Sequence, residues 1–303
     1  AEAQFYPNDY DGIWASCPAI NWTQFLASGL WAVTVMNEYD HILGFHKINA
    51  FRDAVHNSVG GKENYFQVEE RIDFDPYTIL GQKTKGGKIT EKDCLVMQEI
   101  WKGPHTTGND FLWYSFLPGG TFWNKIIPIG SFYYPLIGKR PKCFSLVEQY
   151  VHLAFEDPKK DLLHLKIRDF EKVFDTCIRK LGWLSCDHAD LRPFANAGGK
   201  LIIDHGLDDP LIPVEGTIDY YHHMREIHGG QNFIDRFCRL YINPGDGHGN
   251  CHTNGPGMTE STGIQALMNW VEHNKAPENL PAVLVNQKTG KTIRKGIVKP
   301  WRV

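Results

Sequence analysis

The chain has 303 residues, a formal net charge of -3, and 42% hydrophobic and 22% charged residues. That composition fits a globular protein with a sizeable core, and without a basic excess it argues against a nucleic-acid-binding face. No run of about eighteen apolar residues occurs, so no membrane-spanning helix is expected.

The N-terminus, AEAQFYPNDYDG, is polar and does not start with Met. Such an end is expected of a mature or cut protein that has lost a secretion signal. After a short helical end, YDGIWASCPAINW offers the apolar run Ile13, Trp14 and Ala15, expected to form a buried strand that stops at Pro18. The sequon Asn21-Trp22-Thr23 follows, and its place at a strand end predicts burial rather than glycosylation. Residues 24–190 change character. GLWAVTVMNEYDHILGFHKINAFRDAV has helical spacing, and ITEKDCLVMQEIWKGP predicts a helix with Thr90 as N-cap. Residues 103–141 are rich in Gly, Pro, Trp and Tyr, the composition of a long functional loop or lid. LHLKIRDFEKVFDTCIRKLGW predicts another helix.

From residue 191 the pattern alternates. GGKLIIDHG predicts a strand through the apolar LIID, EGTIDYYHHMREIHG a helix ending at Gly229, FCRLYIN a strand, and TESTGIQALMNWVEHNKAP a helix stopped at Pro277. Strands separated by helices imply a parallel sheet, with the chemistry on the loops after the strands' carboxyl ends.

Two such loops carry candidate groups. HGLDDPLIP places Asp208 and Asp209 after one strand, and NPGDGHGN places His248 after the next. An acid and then a histidine on consecutive strand ends is the order of the second and third members of an α/β-hydrolase triad. There the carboxylate would hold the Nδ1 hydrogen and leave Nε2 to take a proton from a serine. Equally, either aspartate can cap the turn at Pro210, and His248 can be an ordinary loop histidine. A metal site built from His248, Cys251 and His252, with His222, His223 or His228, competes with this. No Cys pair or His-Glu-x-x-His spacing supports it, and neighbouring His222 and His223 on a helix point about 100° apart. The seven cysteines, Cys17, Cys94, Cys143, Cys177, Cys186, Cys238 and Cys251, form no Cys-x-x-Cys pair, and the odd count leaves one free or paired with another chain.

In order and spacing, YPNDYDGIWASCPAINW, FDPYTIL, ITEKDCLVMQEIWKGP, GGKLIIDHGLDDPLIP, PGDGHG and ALMNWVEHNKAP resemble the tannase and feruloyl esterase family. The resemblance implies an α/β-hydrolase fold, a mostly parallel sheet with flanking helices and a large inserted lid. Residues 1–23 would be the first part of the hydrolase core, 24–190 the lid, and 191–303 the rest of the core. It further implies a secreted serine esterase for galloyl, feruloyl or related phenolic-acid esters, with Asp209 as acid and His248 as base. Asp208 falls at a variable position. The family's nucleophile sits in a Gly-Cys-Ser-x-Gly-Gly segment that has no counterpart here, so the serine is expected from a missing or separate segment. An N-terminal chain of the same precursor is one candidate source. The family's Cys after the histidine is replaced by Gly249, which makes Cys251 the candidate for the bridge to that segment. A Cys251 paired within the chain, for instance with Cys238, or left free is the alternative. The family's calcium loop matches FRDAVHNSVGG, where Asp53 remains but His56 and Gly60 replace acids. Calcium needs six or more oxygens, so the expectation is no metal and no cofactor. Trp101, Trp113, Tyr114, Trp123, Tyr133 and Tyr134 are candidates for stacking on a phenolic ring, or for the lid's own core. A non-catalytic binding subunit and an esterase for another aryl or secondary-metabolite ester are the competing functions.

Overall fold

The computed structural model describes residues 1–59, 72–120, 144–249, 255–286 and 288–302. In chain order, α1 (Glu2–Phe5) precedes β1 (Gly12–Ser16), then α2 (Trp22–Ser28), α3 (Trp31–Glu38) and α4 (Phe45–Ser58). A small hairpin of β2 (Lys83–Thr84) and β3 (Gly87–Lys88) leads to α5 (Glu91–Lys102), α6 (Ser145–Phe155) and α7 (Ile167–Leu181). Next come α8 (Arg192–Asn196), β4 (Lys200–Gly206), α9 (Val214–Ile227), α10 (Gln231–Ile234) and β5 (Cys238–Asn243). The chain closes with β6 (Gly257–Met258), α11 (Glu260–His273), β7 (Leu280–Val285) and β8 (Thr292–Val298). No described helix is long and apolar enough to cross a membrane.

The elements divide into two units. One holds Ala1–Ile20 and Cys186–Val303; the other holds described residues between 21 and 185. The second unit is helical. Its α5 starts where the sequence places it: the Thr90 hydroxyl accepts from the Asp93 amide, and the Asp93 carboxylate accepts from the Thr90 amide. That reciprocal cap satisfies two orphan donors of the first turn. Asp93 is fully buried and also receives Lys47 Nζ at 2.6 Å and His41 Nε2 at 2.8 Å, tying α5 to α4. The helical run over residues 29–55 breaks into α3 and α4, and α7 begins at Ile167, later than the sequence pattern, because Lys166 is its N-cap. In the sequon, Thr23 is buried and bonds Tyr150 Oη at 2.7 Å and the Leu181 carbonyl at 2.9 Å.

The first unit is built on the parallel sheet β1-β4-β5. Ser16 stands beside Asp204, and Asp204 beside Tyr241. α11 packs on β1 and β4. Its Gly263 lies under the Trp14 ring, where an added Cβ would come within 2.7 Å. Ile202, Tyr241, Met258 and Trp270 form the core on this side, each side chain contributing about 1.5–3 kcal/mol by leaving water. β4 is longer than LIID: His205 and Gly206 stay in the ladder, paired with Ile242 and Asn243. α11 ends at Asn274 in the left-handed conformation, before Pro277 is reached. An antiparallel sheet β6-β7-β8 lies outside the alternating pattern, and the Trp301 amide bonds the Leu240 carbonyl on the outer edge of β5.

β1 departs from expectation. All five of its residues are half-buried rather than buried. It pairs with β4 on one side, and no other described strand pairs with it. A strand with one neighbour cannot be sealed as a central parallel strand is.

The cysteine expectations also change. Cys17, Cys94, Cys177, Cys186 and Cys238 are free thiols. The alternative Cys238–Cys251 pairing is therefore corrected: Cys238 lies in β5, buried and unbridged. Cys143 and Cys251 lie outside the described residues.

Asp204 joins all three parallel strands. Its carboxylate accepts from Trp14 Nε1 at 2.6 Å, Ser16 Oγ at 3.2 Å and Asn243 Nδ2 at 3.1 Å. Burial pushes it up to about 6, and the three donors only partly counter that. A carboxyl raised in the folded state contributes stability below the unfolded value near 4 and loses it as pH rises through about 6. The charge therefore costs on the order of 3 kcal/mol at neutral pH. Asn243 Oδ1 is buried without a partner and can accept from an amide at position 204 after a flip. Asp204→Asn is expected to fold and to flatten the stability profile between about pH 4 and 7. Urea midpoints across that window check this; equal slopes for the two proteins would remove Asp204 as the source.

Candidate functional site

The acid loop forms where β4 ends. Leu207 N bonds the Asn243 carbonyl at 2.9 Å, Asp208 N the Asp246 carbonyl at 3.0 Å, and Asp209 N turns back to the Gly206 carbonyl at 3.2 Å. Gly206 is required for this approach, because a Cβ there would lie 2.3 Å from the Gly247 carbonyl oxygen. The loops after β4 and β5 are thereby pressed together.

Asp209 and His248 meet in that contact. His248 Nδ1 donates to Asp209 Oδ2 at 2.8 Å. The Asp209 side chain is fully buried, while that of His248 is 30% exposed. Asp209 also caps its own turn: Oδ1 accepts from Leu211 N at 2.7 Å and Ile212 N at 2.9 Å. The two roles weighed for the aspartates, turn cap and histidine partner, thus fall on one residue, one oxygen each. Asp208, also buried, is not the residue that meets the imidazole.

The electrostatics follow from the contacts. Burial alone would raise Asp209, but the hydrogen bonds from His205 and His248 outweigh it and hold the carboxyl well below the usual range. Burial pulls His248 down, and the bond and charge of Asp209 overcome that, so its imidazole is raised. An ionised Asp209 only accepts, so the hydrogen of a neutral His248 sits on Nδ1 and the lone pair on Nε2.

Two neighbours were not legible as site residues. His205, fully buried in β4, donates from Nε2 to Asp209 Oδ2 at 3.1 Å. The only sequence signal is its place four residues before Asp209. Cys17, after β1, has a positive φ of 43° and accepts from Gly249 N at 3.3 Å. Burial first, and then the charges of Asp209 and Asp204, push its thiol well up. A reactive cysteine needs the reverse. Ser16, one residue earlier, gives its hydroxyl to Asp204.

Cys17, His205 and Asp209 bring a sulfur, a nitrogen and an oxygen within 4.8 Å of one another. They do not fit a resident metal. Binding would need the thiolate that this environment disfavours and the Asp209 oxygen already used by two imidazoles. His222, His223 and His228 take no part in this cluster, and Cys251 and His252 lie outside the described residues. The stretch weighed as a calcium loop is helix through Ser58, and His56 Nε2 is taken by the Gly119 carbonyl at 3.0 Å. Gly60 lies outside the described residues.

The helical unit holds a cavity of about 860 Å³, with Phe74, Trp101, Phe111 and Tyr114 among its lining residues beside Asp73, Glu99 and Lys102. Trp101 and Trp113 are mostly core, at 4% and 8% exposure, and Trp101 meets Phe51 and Phe74 edge-on. Trp123, Tyr133 and Tyr134 lie outside the described residues.

Comparison with known proteins bears on the fold and the family. The family model for tannase and feruloyl esterase matches residues 139–301, more than half of the chain. A probable feruloyl esterase of Arthroderma benhamiae is 30% identical over 301 residues, covering 93% of this chain and 53% of that protein. Among solved structures, the tannin acyl hydrolase from Aspergillus niger superposes with a TM-score of 0.80 at 22% identity, covering 99% of this chain and 58% of that one. Feruloyl esterase B from Aspergillus oryzae gives 0.79 at 19%, covering 99% and 61%. The chain spans about half the length of the relatives it matches. The fold is the α/β-hydrolase type, with a parallel sheet and flanking helices. The chain belongs to the tannase and feruloyl esterase family.

Proposed function

We propose that these residues supply the acid and the histidine of a serine esterase acting on phenolic-acid esters, galloyl, feruloyl or related. The observation that carries this is the contact of buried Asp209 with the partly exposed His248 in the loops after adjacent parallel strands. The family relatives, feruloyl esterases and tannases by name, support the substrate class.

The nucleophile is a serine from a segment outside these residues. Neither Ser16, bonded to Asp204, nor Cys17, with its raised thiol, suits the role. His248 Nε2 takes the serine proton as Oγ attacks the ester carbonyl, and Asp209 steadies the imidazolium. Backbone N–H groups near the serine hold the oxyanion, and His248 then passes its proton to the leaving alcohol. Water repeats the cycle on the acyl-enzyme. No metal or cofactor enters these steps. Cys251 is kept as the candidate bridge to the serine-bearing segment, and secretion suits such a bridge. Intact masses with and without reductant read out the bridge and any separate chain.

In the intact protein, His248→Ala is expected to lower turnover of gallate, ferulate and simple aryl esters by about 10³-fold or more, and Asp209→Asn comparably. Full activity of His248→Ala would refute the assignment. If a serine-directed fluorophosphonate labels nothing in the intact protein, a non-catalytic binding subunit is the better account. A panel in which only non-phenolic esters turn over moves the substrate class instead. Because His248 must be neutral to act and its pKa is raised, kcat/KM is expected to fall on the acid side with a midpoint above the ordinary histidine value. A pH–rate profile checks this, with a midpoint below that value counting against Asp209 as its partner.

A further inference from the structure

Asp209 Oδ2 serves two imidazoles, and the mechanism above uses only one. His205 Nε2 lies 3.1 Å from the oxygen that His248 Nδ1 reaches at 2.8 Å. The same Nε2 lies 3.2 Å from the Ile212 carbonyl. His205 is fully buried at the end of β4, and its hydrogen-bond partners lie in the acid loop and α9. Its other nitrogen, Nδ1, is 2.8 Å from the hydroxyl of Thr217, itself buried in the first turns of α9. A threonine hydroxyl can donate to Nδ1, which leaves the imidazole hydrogen on Nε2, aimed at Asp209.

We propose that His205 is a positioning residue that draws off part of the charge of Asp209 and so limits how tightly His248 holds its proton, with Thr217 setting the His205 tautomer. The role in catalysis rests on the proposed esterase function; the effect on His248 does not. The physical basis is competition for one oxygen. Two backbone amides on Oδ1 fix the plane of the carboxylate, so it stays in place when a donor on Oδ2 is lost. The charge that His205 shared then falls on His248 alone, and a proton on that ring is held more firmly. A base held too strongly is unavailable in mild acid, which is what His205 prevents. The other titratable groups around the pair are Cys17 after β1, Asp204 in β4, Asp208 in the acid loop and Asp246 in the histidine loop. They are common to every variant below, so differences between variants report His205.

The test is an NMR titration of the His248 imidazole in the intact protein, wild type against His205→Leu, His205→Gln and Thr217→Val. Leucine removes the donor at similar bulk, glutamine returns an N–H near the Nε2 position, and valine removes only the hydroxyl. His205→Leu is expected to tighten proton binding to His248 about threefold to tenfold. His205→Gln should restore most of the wild-type value, and Thr217→Val should shift it partway in the same direction. An unchanged or loosened proton, or equal shifts in the leucine and glutamine variants, overturns the proposal. Should His205→Leu fail to fold, Thr217→Val decides by the same criterion. With an ester substrate, the acid limb of kcat/KM should move up by the interval seen in the titration, with KM unchanged. If His248→Ala keeps full activity, the esterase assignment fails while the titration still judges His205. If His248→Ala is inactive but His205→Leu leaves the titration unmoved, only the role of His205 fails.

Discussion

A single buried carboxylate organises the carboxyl end of the sheet. Asp209 is removed from water, and such a charge persists only if its lone pairs are filled. Two backbone amides and two imidazoles fill them. Each bond constrains something different: the amides shape the turn at Pro210, His205 ties the acid to its own strand, and His248 ties it to the next one. The depressed pKa of Asp209 and the raised pKa of His248 are two views of that one arrangement.

Backbone approach makes the arrangement reachable. Gly206 admits the Gly247 carbonyl where any side chain would collide, and Gly257 does the same for Asp246, with a Cβ there only 2.2 Å from its carboxylate. Around this close contact two buried carboxyls are shifted in opposite directions. The imidazoles hold Asp209 well below the usual range, while burial pushes Asp204, two strand positions before Gly206, up to about 6 despite the three donors around it. The buried thiol of Cys17 lies between these two carboxylates electrostatically and is quieted by both.

Much of the candidate site could be read from the sequence because its determinants are local. Asp-Pro after an apolar strand, and a histidine among glycines after the next, are patterns of loop chemistry, and Asp209 and His248 do meet. The Thr90–Asp93 cap and the helices α5, α9 and α11 were legible for the same reason, since caps and periodicity involve residues three or four apart. His205 was not legible. A histidine inside an apolar strand looks the same whether it packs in a core or holds a carboxylate.

The sequence by itself determined the alternation of strands and helices, the order acid-then-histidine, and the family resemblance carried by those loops. Tertiary structure alone decided that Asp209 carries the turn cap and the imidazole together, that a second imidazole shares its oxygen, and that Asp204 clamps three strands. It also decided that β1 is only half-buried and that Cys238 stands unbridged. The reason is common to all of these. Burial, desolvation and the filling of a carboxylate's lone pairs depend on partners brought together across strands, as with Ser16 and Asp204, 188 positions apart, and no window of sequence contains both.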